Sequence, residues 1–220
     1  MELPVYHDSL RSSGSWSATL NHFKDRWTHA QGYEDRLREL QVAQALLRRP
    51  ASIGLEDRLR ATAHQVSDWA ADPVAQLDFD RLIQLGRLLD GGNLRTHDVA
   101  ANGPFHDPAP AVILPRLVEN ALGWFTAQSF NEIHPVEQAA LVHVRLLDLD
   151  PFGSTESDLV ALFAASLFTE RSSLPPLIVY ADDSSAYDAV IQSAFRMLTQ
   201  PLVEFFAAGL MKTIELVSEG

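Results

Sequence analysis

The chain of 220 residues contains no cysteine. That excludes a disulfide scaffold, a Cys-ligated zinc site and a thiol nucleophile. No apolar run approaches the ~18 residues of a membrane span. Met1-Glu2-Leu3-Pro4 has neither the basic nor the apolar region of a signal peptide, so the expected compartment is the cytoplasm, with no membrane contact. Positive charge is scarce: 17 Lys+Arg stand against 29 Asp+Glu, for a net charge of -12. The shortage is uneven. Residues 1–100 hold 12 Lys+Arg and 14 Asp+Glu, a balance of -2, whereas residues 101–220 hold 5 and 15, a balance of -10. Such a field repels polyanions, and no basic helix offsets it, so nucleic acid is excluded as a partner. No His-x-x-x-His or His-Glu-x-x-His pair points to zinc, and no metal site is expected.

What is present is the composition of a folded globular chain, 46% hydrophobic and 21% charged. Its length suffices to bury roughly 70% of the unfolded surface without staples. The apolar spacing is helical throughout. Trp16, Leu20, Phe23 and Trp27 form one stripe over residues 15–30. Leu37, Leu40, Ala43 and Leu47 repeat it over 33–49, and Pro50 ends it. Further helices are predicted over 56–70, 78–89, 115–128, 135–149, 155–169, 184–198 and 201–217. Residues 155–169 are apolar nearly all round, the signature of a buried central helix. One stretch departs from the period. Residues 94–106 come after Gly91-Gly92 and carry Asn102-Gly103, a strong two-residue turn signal, which predicts a short β-hairpin and the only β structure.

The order of these parts resembles the core of the Fic (Fido) family. Members carry His-Pro-Phe-x-(Asp/Glu)-Gly-Asn-Gly-Arg-x-x-Arg between two buried helices. Ile133-His134-Pro135 to His143 is similar to the helix leading into that motif. Leu149-Asp150-Pro151-Phe152-Gly153 stands where the motif begins. Leu159 to Phe168, with Leu174-Pro175-Pro176 after it, is similar to the family's second buried helix and its exit loop. Gly92 to Val99, with Gly103, His106 and Pro108, resembles the flap beside the family's active site. The resemblance implies an all-α Fic-type core over 75–220, with a hairpin flap at about 94–106 and an N-terminal helical extension over 1–74 packed on it. The flap residues are Leu94, Arg95, Thr96, His97, Asp98 and Val99.

The resemblance also shows what is missing. The family's catalytic His falls on Asp150, beside the retained Phe152. Its acidic residue falls on Ser154, its Gly-Asn-Gly on Thr155, Glu156 and Ser157, its first Arg on Asp158 and its last on Ala161. The family His takes a proton from a target hydroxyl, which then attacks the α-phosphate of ATP. An Asp, with an ordinary pKa near 3.9, is a poor base at neutral pH. Glycines let backbone N–H groups approach a phosphate, whereas Thr155-x-x-Asp158 reads as a capping box that spends those groups on the protein's own oxygens. Exchanging a phosphate-binding Arg for Asp158 reverses a charge, a swing of several kcal/mol at about 4 Å and an effective dielectric near 20.

Ser52-x-x-x-Glu56 resembles the family's inhibitory motif; read by itself, Ser52 is an N-cap and Glu56 a first-turn acid. His143 reads as a packed, hydrogen-bonded core residue. The resulting expectation is a catalytically inactive pseudo-adenylyltransferase used as a binding or regulatory module. It takes no cofactor and recognises a protein partner or target peptide at the flap. Two alternatives stay open. One is an active nucleotidyl or phosphoryl transferase with a non-standard site, which requires ATP and Mg²⁺. The other is a structural, oligomerising helical subunit whose Trp16/Trp27 face docks a partner, a second copy of the chain included.

Overall fold

The computed structural model describes residues 33–49, 52–72, 74–90, 92–153 and 156–218. The helix expected over 15–30, with Trp16 and Trp27, and the motif positions Ser154 and Thr155 lie outside the described residues. The described secondary structure is helical: α1 (Glu34–Leu47), α2 (Leu55–Ala71), α3 (Phe79–Asp90), α4 (Leu114–Phe125), the single turn α5 (Gln128–Asn131), α6 (Pro135–Leu149), α7 (Ser157–Glu170), α8 (Ser184–Phe195) and α9 (Gln200–Ser218). Short 3-10 turns, Ala111–Ile113 and Ala181–Asp183, lead into α4 and α8.

α7 is the central helix, as its composition predicts. Every residue from Leu159 to Thr169 is buried. α6, α2 and α3 surround it, α4 and α9 flank α6, and α1 lies on α2. α6 starts where Pro135 needs no N–H partner, and the His134 ring accepts the Val136 N–H at 3.2 Å. Phe125, Phe130 and Phe168 meet edge-on or tilted, with ring centroids 5.4–6.3 Å apart, and lock α4 and α5 to the far end of α7. A buried polar tie joins α1 to the core: Gln41 donates to Ser166 Oγ (3.1 Å) and to the Leu177 carbonyl (3.0 Å). This satisfies an amide that burial would otherwise penalise.

The expected hairpin does not form. Residues 92–110 run as an irregular loop of bends and turns, and no strand occurs among the described residues. Gly103 does adopt the left-handed φ of +90° that a turn glycine supplies. The flanking residues, however, bond to other partners instead of to each other. Arg95 N–H donates to the Pro151 carbonyl (2.9 Å), Asn102 N–H to His106 Nδ1 (2.9 Å) and Ala111 N–H to Asp98 Oδ1 (2.7 Å). The backbone groups a ladder would have used are spent on the turn after α6 and on local side chains.

Candidate functional site

α6 ends at Asp150, which takes up the left-handed conformation with φ of 41°. Its carboxylate is occupied locally: Oδ1 accepts the Gly153 N–H at 3.0 Å. That bond closes a tight turn through Pro151 and Phe152, both buried. The Phe152 ring lies directly on Gly86 of α3, where a Cβ would come within 2.3 Å of it. Gly153 has φ of +64°, and a Cβ there would meet Val99 at 2.9 Å and Arg95 at 3.0 Å. Pro151-Phe152 is therefore a packed plug joining α6, α3 and the 92–110 loop.

Arg95 fastens that loop. It is only 5% exposed. Nε donates to the Asp150 carbonyl (2.8 Å), Nη1 to that of His97 (3.0 Å), and Nη2 to those of Ala109 (2.5 Å) and Leu149 (3.2 Å). Two of those acceptors are free carbonyls at the C-terminal end of α6, where the helix dipole favours a cation. His106 adds a second fastening, its Nε2 facing the Asp148 carbonyl at 3.1 Å while its ring stacks on Phe195 of α8 at 4.7 Å. Because Nδ1 accepts from Asn102, the ring proton sits on Nε2. Thr96, His97 and Asp98 remain exposed, and Leu94 and Val99 are half-buried.

α7 begins at Ser157, which is buried, so Glu156 is the N-cap and makes no side-chain cap bond. The capping box expected from Thr155 and Asp158 rests on a position outside the described residues. The Asp158 carboxylate receives Arg49 Nη2 in a short ion pair, and Arg49 Nη1 lies 3.2 Å from Glu156 Oε2. Arg49 comes from the chain just beyond α1, so the counter-cation of these two acids is supplied from a distant element. Arg48, its neighbour, places its guanidinium over the Tyr187 ring at 4.6 Å. Tyr187 and His143 meet behind them, with 2.7 Å between Tyr187 Oη and His143 Nε2. Burial depresses His143 to about 4, the nearby Arg48 charge acting the same way and that of Asp158 opposing it. Burial pushes the Tyr187 phenol up. At neutral pH both are uncharged. His143 is the packed core histidine its position predicts, fully buried between α6 and α8.

The Ser52/Glu56 pattern does not reach this site. Gly54 turns the chain with φ of 74°, and α2 starts with the buried Leu55. That phase puts Glu56 on the outer face, where it pairs with Arg60 at 2.8 Å, and leaves Ser52 exposed. The structure brings Asp150 and Phe152 together with the 92–110 loop, and joins Glu156 and Asp158 to each other through Arg49. The sequence reading missed Arg48, Arg49 and Tyr187. A signal for the first two existed: two acids at the start of a buried helix need a counter-cation, and Arg48-Arg49 is a doublet in a chain with fewer cations than acids. Two carboxylates held by an internal guanidinium at a helix start do not fit a polyphosphate. Among the described residues, no cluster of three or more His, Asp or Glu side chains is placed to hold a metal ion, and no helix is long and apolar enough to cross a membrane.

An all-helical domain with a buried helix–loop–helix at its centre is a fold that solved Fic-domain structures share. The chain superposes on a Fic-domain signalling protein from Bacteroides thetaiotaomicron with a TM-score of 0.70 and 15% identity, covering 90% of this chain and 96% of that one. Fic-1 from C. elegans gives 0.76 and 17%, covering 92% and 70%. A Fic family protein from Desulfovibrio desulfuricans gives 0.68 and 17%, covering 100% and 77%. In sequence, 128 residues are 29% identical to the protein adenylyltransferase Fic of Drosophila mojavensis and equally so to that of Drosophila grimshawi. That stretch covers 58% of this chain but only 25% and 26% of those proteins. No family model matches the chain. The chain thus shares the fold of Fic domains and is similar in sequence, over that 128-residue stretch, to Fic adenylyltransferases.

Proposed function

We propose that the protein is a Fic-fold pseudoenzyme: a binding or regulatory module that does not transfer AMP and that recognises a protein partner or extended peptide along the 92–110 loop. The observation that carries this reading is the occupation of the motif by the protein's own groups. The residue at the family's base position, Asp150, uses its carboxylate to close the Pro151-Phe152 turn. The residue at the family's phosphate-binding Arg position, Asp158, holds Arg49. A general base must reach its proton and have a pKa near the working pH, and an anion site must be free and cationic. The recognition half rests on the loop, which Arg95 holds rigid while Thr96, His97 and Asp98 face solvent. A pre-ordered loop loses little entropy on binding.

Calorimetric titration with ATP, with and without Mg²⁺, tests the reading together with transfer of labelled AMP to protein targets. No binding below millimolar concentration and no transfer are expected. Transfer by the unmodified protein overturns the reading. Restoration gives a positive control: Asp150→His, Ser154→Asp, Thr155→Gly, Glu156→Asn, Ser157→Gly and Asp158→Arg, made together with Arg49→Ala so that two guanidinium groups do not collide. This variant is expected to bind ATP more tightly than wild type. Ala161 is left alone because it is fully buried under His143. Glu56→Gly is expected to add nothing, since Glu56 faces away from the site.

A further inference from the structure

Asn102-Gly103 signals a turn, yet the fold uses only its glycine. Gly103 holds a left-handed φ of +90°, and a Cβ there would come within 2.5 Å of Gln192 Oε1, so a side chain at 103 is strained twice over. Asn102 and Gly103 are both exposed. The Asn102 side-chain amide makes no hydrogen bond among the described residues, and neither does the Gly103 N–H. We propose that Asn102 is a self-modifying site: in the folded protein its side-chain amide is lost to the Gly103 nitrogen, and the residue ends as aspartate or isoaspartate. The proposal does not rest on the pseudoenzyme reading; it concerns the covalent chemistry of the loop, whatever the loop binds.

The reaction needs only solvent. The Gly103 nitrogen gives up its proton and attacks Asn102 Cγ. A bond forms between Gly103 N and Cγ, the Cγ–Nδ2 bond breaks, and the displaced NH2 leaves as ammonia with that proton. Water then opens the five-membered imide at one of its two carbonyls. Attack at Cγ leaves aspartate with the chain unaltered. Attack at the main-chain carbonyl leaves isoaspartate, with the chain running through the side-chain carbons. Nothing is oxidised or reduced.

The structure removes the usual obstacles and adds one aid. Gly103 has no Cβ to crowd the closing ring. Neither reacting group has to break a hydrogen bond first. Gln192 Nε2 donates to the Asn102 carbonyl at 3.2 Å, and that carbonyl belongs to the same peptide group as the attacking nitrogen. A donor there stabilises the amide anion formed when the nitrogen loses its proton. Gln192 serves that peptide alone, since its Oε1 is buried without a partner among the described residues.

The product changes how the loop is fastened. Either acid adds a negative charge to a half of the chain whose balance is already -10. Isoaspartate also inserts a methylene between the Asn102 N–H, which His106 Nδ1 accepts at 2.9 Å, and the rest of the turn. The carboxylate it frees takes the place of the carbonyl that Gln192 holds.

Peptide mapping tests this. The full chain is kept at neutral pH for days, folded and in urea, and digested with trypsin. The fragment 96–116, in which Asn102 is the one asparagine, is weighed for the exchange of NH2 for OH. The native rate is expected to lie within about fivefold of the unfolded rate, because no opening step precedes attack. A greater slowing by the fold overturns the proposal. Gln192→Met keeps the bulk and removes the donor; it is expected to slow the native reaction at least about twofold and leave the unfolded rate unchanged. An equal or faster native rate overturns the part assigned to Gln192. In the aged wild type the His106 ring resonances are expected to split with the modified fraction while those of His143 do not. An unsplit His106 signal in a sample shown by mass to be modified overturns the change in fastening.

Discussion

Replacing Arg95 by alanine is expected to be among the most damaging single substitutions in this protein outside the apolar core. The side chain is 5% exposed and donates four hydrogen bonds to backbone carbonyls of Leu149, Asp150, His97 and Ala109. Charge-assisted bonds contribute about 1.5–3 kcal/mol each in isolation, but they are not additive once water re-enters the vacated space. Orphaning several buried carbonyls and removing the cation from the C-terminal end of α6 together cost about 3–5 kcal/mol. At about 2–4 °C per kcal/mol for a chain of this size, Tm falls by roughly 6–20 °C. Hydrogen exchange adds a spatial signature. Amides of residues 94–111 lose protection first, because the loop is held to α6 chiefly through this side chain, while those of α9 do not. Arg95→Lys is expected to fall between the two, since an ammonium cannot reach four acceptors spread around a planar fork. A loss of stability under about 1 kcal/mol, or exchange rising uniformly over the chain, would refute the claim that Arg95 is the staple of the loop.

His143, depressed to about 4 from its ordinary 6.5, is expected to make the protein acid-sensitive: its contribution is present above pH 6.5 and lost as the pH falls toward 4, about 3 kcal/mol in all, because only the unfolded chain takes the proton over that range. Denaturant titrations of wild type and His143→Gln across that window check the slope. Glu170 works in the opposite direction. Burial raises its carboxyl to about 7, outweighing the Ser67 hydroxyl bonded to it and the nearby Arg38 charge. Its contribution is therefore present below about pH 4.5 and lost as the pH rises through 7. Glu170→Gln is expected to gain about 2 kcal/mol above pH 7, after a discount for partial exposure, and little at pH 4.5, read from Tm against pH. Gly86→Val is expected to push Phe152 off α3 and cost about 1–3 kcal/mol by overpacking, with changed Phe152 ring-proton shifts in NMR spectra as the local readout.

The helices of the described residues and their order were determined by the sequence itself. Apolar residues at helical spacing, with Pro50, Pro115 and Pro135 at boundaries, leave few other ways to bury that surface, and such signals lie within one or two turns of each other. α6 begins and ends at the predicted residues, and α7 is buried because its apolar residues cover most of its circumference. That Asp150 and Asp158 stand at the positions where the resemblance puts the motif was equally legible, since it concerns identity at a position. What the tertiary structure alone decided is who answers each unsatisfied group. Asn102-Gly103 signals a turn, but whether strands flank it depends on where the neighbouring N–H groups bond, and Arg95 N–H found Pro151, 56 positions along the chain, before it could find a strand. The inhibitory pattern at Ser52 and Glu56 is defined by residue types, yet the phase of α2, set by burial of Leu55, turned Glu56 outward. The cation for Asp158 came from Arg49 across the fold. Local periodicity is written in neighbouring residues; a hydrogen bond or ion pair between distant segments depends on the packed geometry of every helix between them.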